Sequence, residues 1–183
     1  MFNLVNRIIR TSLWLLALVL FTSGKSTGVL PGAKLEIGNY VINASGDLQK
    51  EFQGEIEFEE VIIKSIKGVE YSTLRLNLKN RLNGQVHSMQ FLISKERKNK
   101  NNIREGVYRV GNHIEGFINC FDGVFGFANI KSFGELPFFA NSGKIRIEHV
   151  GQDVLKGSIA VTMKNTNNNE INIQGSFSAN KKK

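Results

Sequence analysis

From Leu74 onward, apolar residues recur at every second position. Leu74, Leu76 and Leu78 alternate with Thr73, Arg75, Asn77 and Lys79. Met89, Phe91 and Ile93 share one side against Ser88, Gln90 and Ser94, and Ile145 and Ile147 alternate with Lys144, Arg146 and Glu148. Ile159, Val161 and Met163 oppose Ser158, Thr162 and Lys164, while Ile171, Ile173 and Phe177 oppose Glu170, Asn172, Gln174 and Ser176. A strand projects successive side chains to opposite faces, so each run has one apolar and one polar face, as half-buried antiparallel strands do. A further strand is expected over residues 55–63. Ile56 and Phe58 start it inward, Val61 and Ile63 resume, and a β-bulge at Glu59 and Glu60 would account for the slip in parity.

Turn residues punctuate the strands. Asn83-Gly84 follows the Leu74 strand and Asp122-Gly123 precedes Val124; both dipeptides suit the positive φ angles of a tight hairpin. Residues 151–153 and 165–169 separate the last three strands, and Pro31 and Pro137 lie outside the alternating runs. No sustained helical period occurs beyond the N-terminal region. The expectation is one all-β domain over residues 36–180, an antiparallel β-sandwich or β-barrel of about eight to ten strands with little helix.

The N-terminus has a different character. Arg7 and Arg10 precede the apolar run LWLLALVLF at residues 13–21, and small and polar residues follow. A basic start, a short apolar stretch and a small-residue exit describe a secretory signal peptide, expected over residues 1–24 with cleavage after Gly24 or Ser26. Nine residues of helix reach about 14 Å, against about 30 Å of bilayer hydrocarbon, so a stable transmembrane anchor is the weaker reading. Residues 25–35 read as a flexible lead-in and 181–183 as a basic tail. The expected location is therefore outside the cytoplasm, periplasmic or secreted. Cys120, the one cysteine, has apolar neighbours in Phe117, Ile118 and Phe121; the plain reading is a buried thiol, the others an intermolecular bridge or a reactive group.

The net charge of +8 is concentrated. Arg7 and Arg10 belong to the leader and Lys181, Lys182 and Lys183 to the tail. Lys95, Arg97, Lys98, Lys100 and Arg104, opposed by Glu96, form one basic segment. Such a run is commonly a solvated loop; its functional reading is contact with an anionic partner. The segment holds no aromatic residue to stack on a base, which argues against specific nucleic-acid binding.

Residues 142–147 (SGKIRI), 155–159 (LKGSI) and 171–177 (INIQGSF) carry a resemblance. They are similar to the closing strands of small exported β domains of unknown function among bacterial surface and periplasmic lipoproteins, and Glu105-Gly106-Val107-Tyr108 resembles a Gly-x-Tyr element that precedes those strands. This chain lacks the lipid-modified cysteine after its apolar run. The resemblance implies export and a β fold, and carries no catalytic residue across.

Candidate chemistry is sparse. His87, His113 and His149 have no metal-ligand spacing, and three or four convergent ligands would be needed for zinc. His87 and His149 fall on the apolar parity of their strands: either hydrogen-bonded strand-end histidines or ligand contacts at a barrel mouth. Asp122 and Asp153 read as turn residues. Glu55, Glu57 and Glu59 lie on a solvent-facing parity, which weakens a paired-carboxylate glycosidase reading. No nucleophile elbow, P-loop or His-Glu-x-x-His is present, and no cofactor is implied. Seven of thirteen phenylalanines lie between residues 117 and 139. Their plain role is core; the sharper one is an apolar cavity in which Phe125, Phe127, Phe133, His87 and His149 meet a ligand. The first functional expectation is a non-catalytic envelope or secreted binding or structural module, engaging a protein or glycan by strand edges and loops. The second is a carrier of a small apolar molecule, and an enzyme is third.

Overall fold

The computed structural model describes residues 35–65, 67–82, 85–97, 102–111 and 121–182. The expected leader, most of the lead-in, Asn83, Gly84, Lys98, Lys100, His113, Phe117, Cys120 and Lys183 lie outside the described residues.

Nine strands form one sheet among the described residues: β1 (Asn39–Gly46), β2 (Lys50–Lys64), β3 (Glu70–Leu82), β4 (Gln85–Glu96), β5 (Gly106–Arg109), β6 (Gly123–Asn129), β7 (Phe138–Val150), β8 (Val154–Lys164) and β9 (Glu170–Lys181). One turn of 3-10 helix, Lys131–Phe133, joins β6 to β7. Eight strands close into a ring in the order β1-β2-β3-β4-β6-β7-β8-β9, every neighbour antiparallel, with β9 returning to β1 from Asn39↔Ser178 to Gly46↔Ile171. Of the two expected architectures this is the barrel, and closure removes most of the free edges an open sheet would carry. β5 is additional to the ring and pairs with β7 alone from Gly106↔Ile147 to Arg109↔Lys144.

The alternating positions meet inside. Leu74, Leu76, Leu78, Phe91, Ile93, Ile145, Ile159 and Ile171 are all at most 1% exposed. Eight strands give an interior that side chains can just fill, and here they fill it. Phe52, Phe58, Phe91, Phe138 and Phe177 supply the largest rings and are buried to within 2%. One of the closest fits is between β4 and β6, where Phe91 stands in register with Gly126. A Cβ at Gly126 would lie 2.5 Å from Cδ1 of Phe91 and 2.7 Å from Cε1, so the ring occupies the space a side chain would need.

Three expectations are corrected by this register. The β2–β3 ladder is continuous from Glu55↔Lys79 to Lys64↔Glu70, with no bulge at Glu59 and Glu60. The parity slips there because the hairpin outruns the wall. The last partners of β2 on its other side are Asn180 and Lys181 of β9, opposite Glu57 and Phe58, and no residue of β2 beyond Phe58 is buried. Lys181 ends β9, and the Lys182 amide donates to the Phe58 carbonyl at 2.8 Å, so these residues belong to the wall and not to a tail. The phenylalanines of residues 121–139 are mostly outside the core: Phe138 is 1% exposed, whereas Phe121, Phe125, Phe127 and Phe133 are half-buried and Phe139 is exposed.

Candidate functional site

The barrel has one irregular seam. β7 pairs with β6 only at Phe127↔Phe139 and Ala128↔Phe138. Beyond that point a register shift between Ala140 and Ser142 turns β7 away, and β5 wedges into the opening. The Val110 amide donates to the Gly143 carbonyl at 3.0 Å, and the Gly111 amide to the Val124 carbonyl at 3.1 Å, so the end of β5 ties the two walls together. Gly123 permits the approach: its φ is +120°, and a Cβ there would stand 2.7 Å from the Arg109 carbonyl oxygen.

The remainder of β5 has a free edge. Antiparallel pairing sends main-chain groups alternately to the two sides of a strand. With Val110 directed to β7, Val107 and Arg109 direct theirs away from it, the Arg109 carbonyl toward β6, where Val110 bridges Val124. That side opens on a groove of about 600 Å³ lined by Lys95, Val107, Arg109, Asp122, Gly123 and Ser142. A second hollow of about 410 Å³ adjoins it, sharing Lys95, Tyr108 and Asp122 and adding Arg104 and Glu105.

Local contacts hold the rim in shape. The Asp122 carboxylate accepts the Glu96 amide at 2.7 Å, so the expected turn aspartate also clamps the end of β4. The Tyr108 hydroxyl donates to the Arg104 carbonyl at 2.7 Å and accepts the Arg104 amide at 3.2 Å, closing the turn that leads into β5. Ser94, fully buried beneath the groove, exchanges a hydrogen bond with Thr73 at 3.0 Å.

The residues expected to act together are distributed. Lys95 and Arg104 of the basic segment do meet, on this groove, whereas Arg97 turns aside to pair with Glu70 at 3.4 Å. His87 lies inside the barrel, 2% exposed, with its ring 5.9 Å edge-on to Phe52 and its Nδ1 without a hydrogen-bond partner. Burial, with the Lys50 ammonium in support, lowers its pKa. His149 is outside, 3.9 Å from Glu105, because a register shift between Ile147 and His149 reverses its parity. Phe125 and Phe127 also face outward, their ladder neighbours Val124, Gly126 and Ala128 taking the inner positions. Phe133 packs on Phe138 at 5.4 Å beside the barrel mouth. The five tentative ligand contacts therefore share no cavity. Arg109 is the groove residue that the sequence reading missed; its one signal was its place on the same strand parity as Val107.

Among the described residues, no three of His, Cys, Asp and Glu converge as metal ligands would. No family model, curated protein or solved structure matches this chain.

Proposed function

We propose that this domain is a non-catalytic binding module, acting in the periplasm or outside the cell, that takes an extended segment of a protein partner along the free edge of β5. The observation that carries this reading is the groove itself: a strand edge with outward main-chain groups at Val107 and an outward amide at Arg109, facing a groove of about 600 Å³. An exposed edge is a template for one more strand, in which main-chain hydrogen bonds supply affinity and flanking side chains supply selectivity. Lys95, Arg104 and Arg109 offer cationic contacts, and Asp122 and Glu105 offer anionic ones. Export rests on the basic and apolar pattern of the first 24 residues and on the resemblance of the closing strands. Among the described residues, packed side chains including Phe52, Phe58, Phe91, Phe138 and Phe177 occupy the interior, which favours this reading over the apolar carrier.

The test is selection of peptides from a displayed random library against the full chain, with amide chemical shifts locating the bound ones. Shifts concentrated at residues 94–96 and 106–110 are expected. Val107→Pro removes an amide that faces the groove and not β7, and proline is tolerated on strand edges. The variant should keep its melting temperature within a few degrees yet bind about fivefold to thirtyfold more weakly, as loss of one or two hydrogen bonds of about 1 kcal/mol implies. Val107→Ala should bind normally. Peptides that map elsewhere, or that bind Val107→Pro as tightly as wild type, would exclude the edge.

A further inference from the structure

The outer wall carries a charge arrangement that the seam does not require. Arg109 on β5 stands directly across from Lys144 on β7. Arg146 follows two residues along, and Lys156 on β8 is diagonal to it, since Arg146 pairs with Ser158. All four are exposed. Cross-strand neighbours on one face are about 5 Å apart and diagonal ones about 7–8 Å, and like charges placed so destabilise a sheet. Among the described residues no carboxylate lies within ion-pairing distance of any of the four. Glu148, exposed in the register shift between Arg146 and the His149–Lys156 pair, lies within the patch, and Glu105 stands beside His149. The other outward residues of β8 and β9 between these and Lys164 are uncharged, from Ser158 and Ala160 to Gln174 and Ser176.

The diametrically opposite strand behaves differently. β2 lies four places from β7 in either direction round the ring, and its outer face is acidic. Two of those acids have cations nearby: Glu59 bonds Arg75 and lies 3.9 Å from Lys182, and Glu55 faces Lys79 in register. The acidic wall is compensated in part, at Glu59, whereas the four cations of the basic wall form no ion pair among the described residues.

An exposed ring lies further along the same strand. Phe139, five residues before Lys144 on β7, is 41% exposed, and its ring lies 6.4 Å from that of Phe125. Phe127 is its direct cross-strand neighbour. An exposed aromatic and unpaired cations on one wall are a combination used at membrane surfaces, where rings enter the headgroup boundary and cations meet anionic lipid. We infer that the β5–β7–β8 wall, through Arg109, Lys144, Arg146 and Lys156 with Phe139 further along β7, seats the barrel on an anionic bilayer surface. This inference is independent of the seam reading.

The test is sedimentation of the full chain with phosphatidylcholine vesicles and with mixed phosphatidylcholine–phosphatidylglycerol vesicles, at low and high salt. Stronger, salt-sensitive binding to the mixed vesicles is expected. The double variant K144Q/R146Q should weaken that added binding about thirtyfold, at about fivefold per cation near a charged surface. Its melting temperature should hold or rise, since a repulsive pair has been relieved. Phe139→Ser should weaken binding while leaving the salt dependence in place. Equal binding to both vesicle types, or a double variant that binds the mixed vesicles as wild type does, would overturn the inference. So would binding to heparin or duplex DNA that K144Q/R146Q abolishes, with none to the anionic vesicles.

Discussion

Replacing Gly126 by alanine should lower the stability of the barrel by about 1–3 kcal/mol, the range for forcing extra volume into a packed core. The methyl group would enter the space held by the Phe91 ring, whose Cδ1 lies 2.5 Å from where the new carbon must go. Phe91 cannot easily withdraw: it is fully buried and stands directly across the ladder. Valine at the same place should cost more, to the point of preventing folding. The informative experiment is a double-mutant cycle with Phe91→Leu, measured by urea denaturation. Phe91→Leu alone leaves a cavity and destabilises. In the G126A/F91L protein the added methyl partly refills that cavity, so the pair should be less destabilised than the sum by about 1 kcal/mol or more, as contacting residues show. Costs that add to within about 0.5 kcal/mol would mean that the two side chains do not share this space.

That pair also explains what the sequence could and could not reveal. On β3, β4, β8 and β9 alternation marked the inner face correctly, because each strand has large apolar residues on one side and polar ones on the other. On β6 the large residues, Phe125 and Phe127, are on the outside, and the inside is Gly126 and Ala128. Small residues carry almost no hydrophobic signal, so a reading by side-chain size assigns the wrong face. The deciding fact is Phe91, 35 positions earlier in the chain, and alternation does not say which strand lies next to which. The same blindness covers closure. Whether β9 returns to β1 separates barrel from sandwich, and that pairing joins Asn39 to Ser178. His149 was misplaced by a bulge one residue long. The groove arises because β7 shares one edge between β5 and β6, a property of the assembled sheet; only Lys95 and Arg104 had been marked beforehand, by charge.

His87 should make the barrel lose stability as the solution is acidified. Its ring is 2% exposed and sits between Phe52, edge-on at 5.9 Å, and Asn80, its partner in the β3–β4 ladder. Asn80 does not serve it, since the Asn80 amide nitrogen donates to the Gln53 carbonyl. Charging the imidazole is opposed first by burial and then by the Lys50 ammonium, so the folded-state pKa is below the ordinary value of 6.5. Between those two values the unfolded chain binds more protons than the folded one, and stability must rise with pH across that interval. The stabilising difference is therefore complete above about pH 6.5 and disappears as pH falls through the folded-state value. His87→Leu keeps an apolar residue of similar bulk and removes the titration. It should flatten this part of the stability profile in urea melts. It should also gain about 1 kcal/mol or more at neutral pH, because the unpartnered Nδ1 is no longer held out of water. A profile for H87L as steep as that of wild type below pH 6.5 would place the acid sensitivity elsewhere. A loss of several kcal/mol at neutral pH would instead show that the imidazole is held by a bond the packed interior depends on.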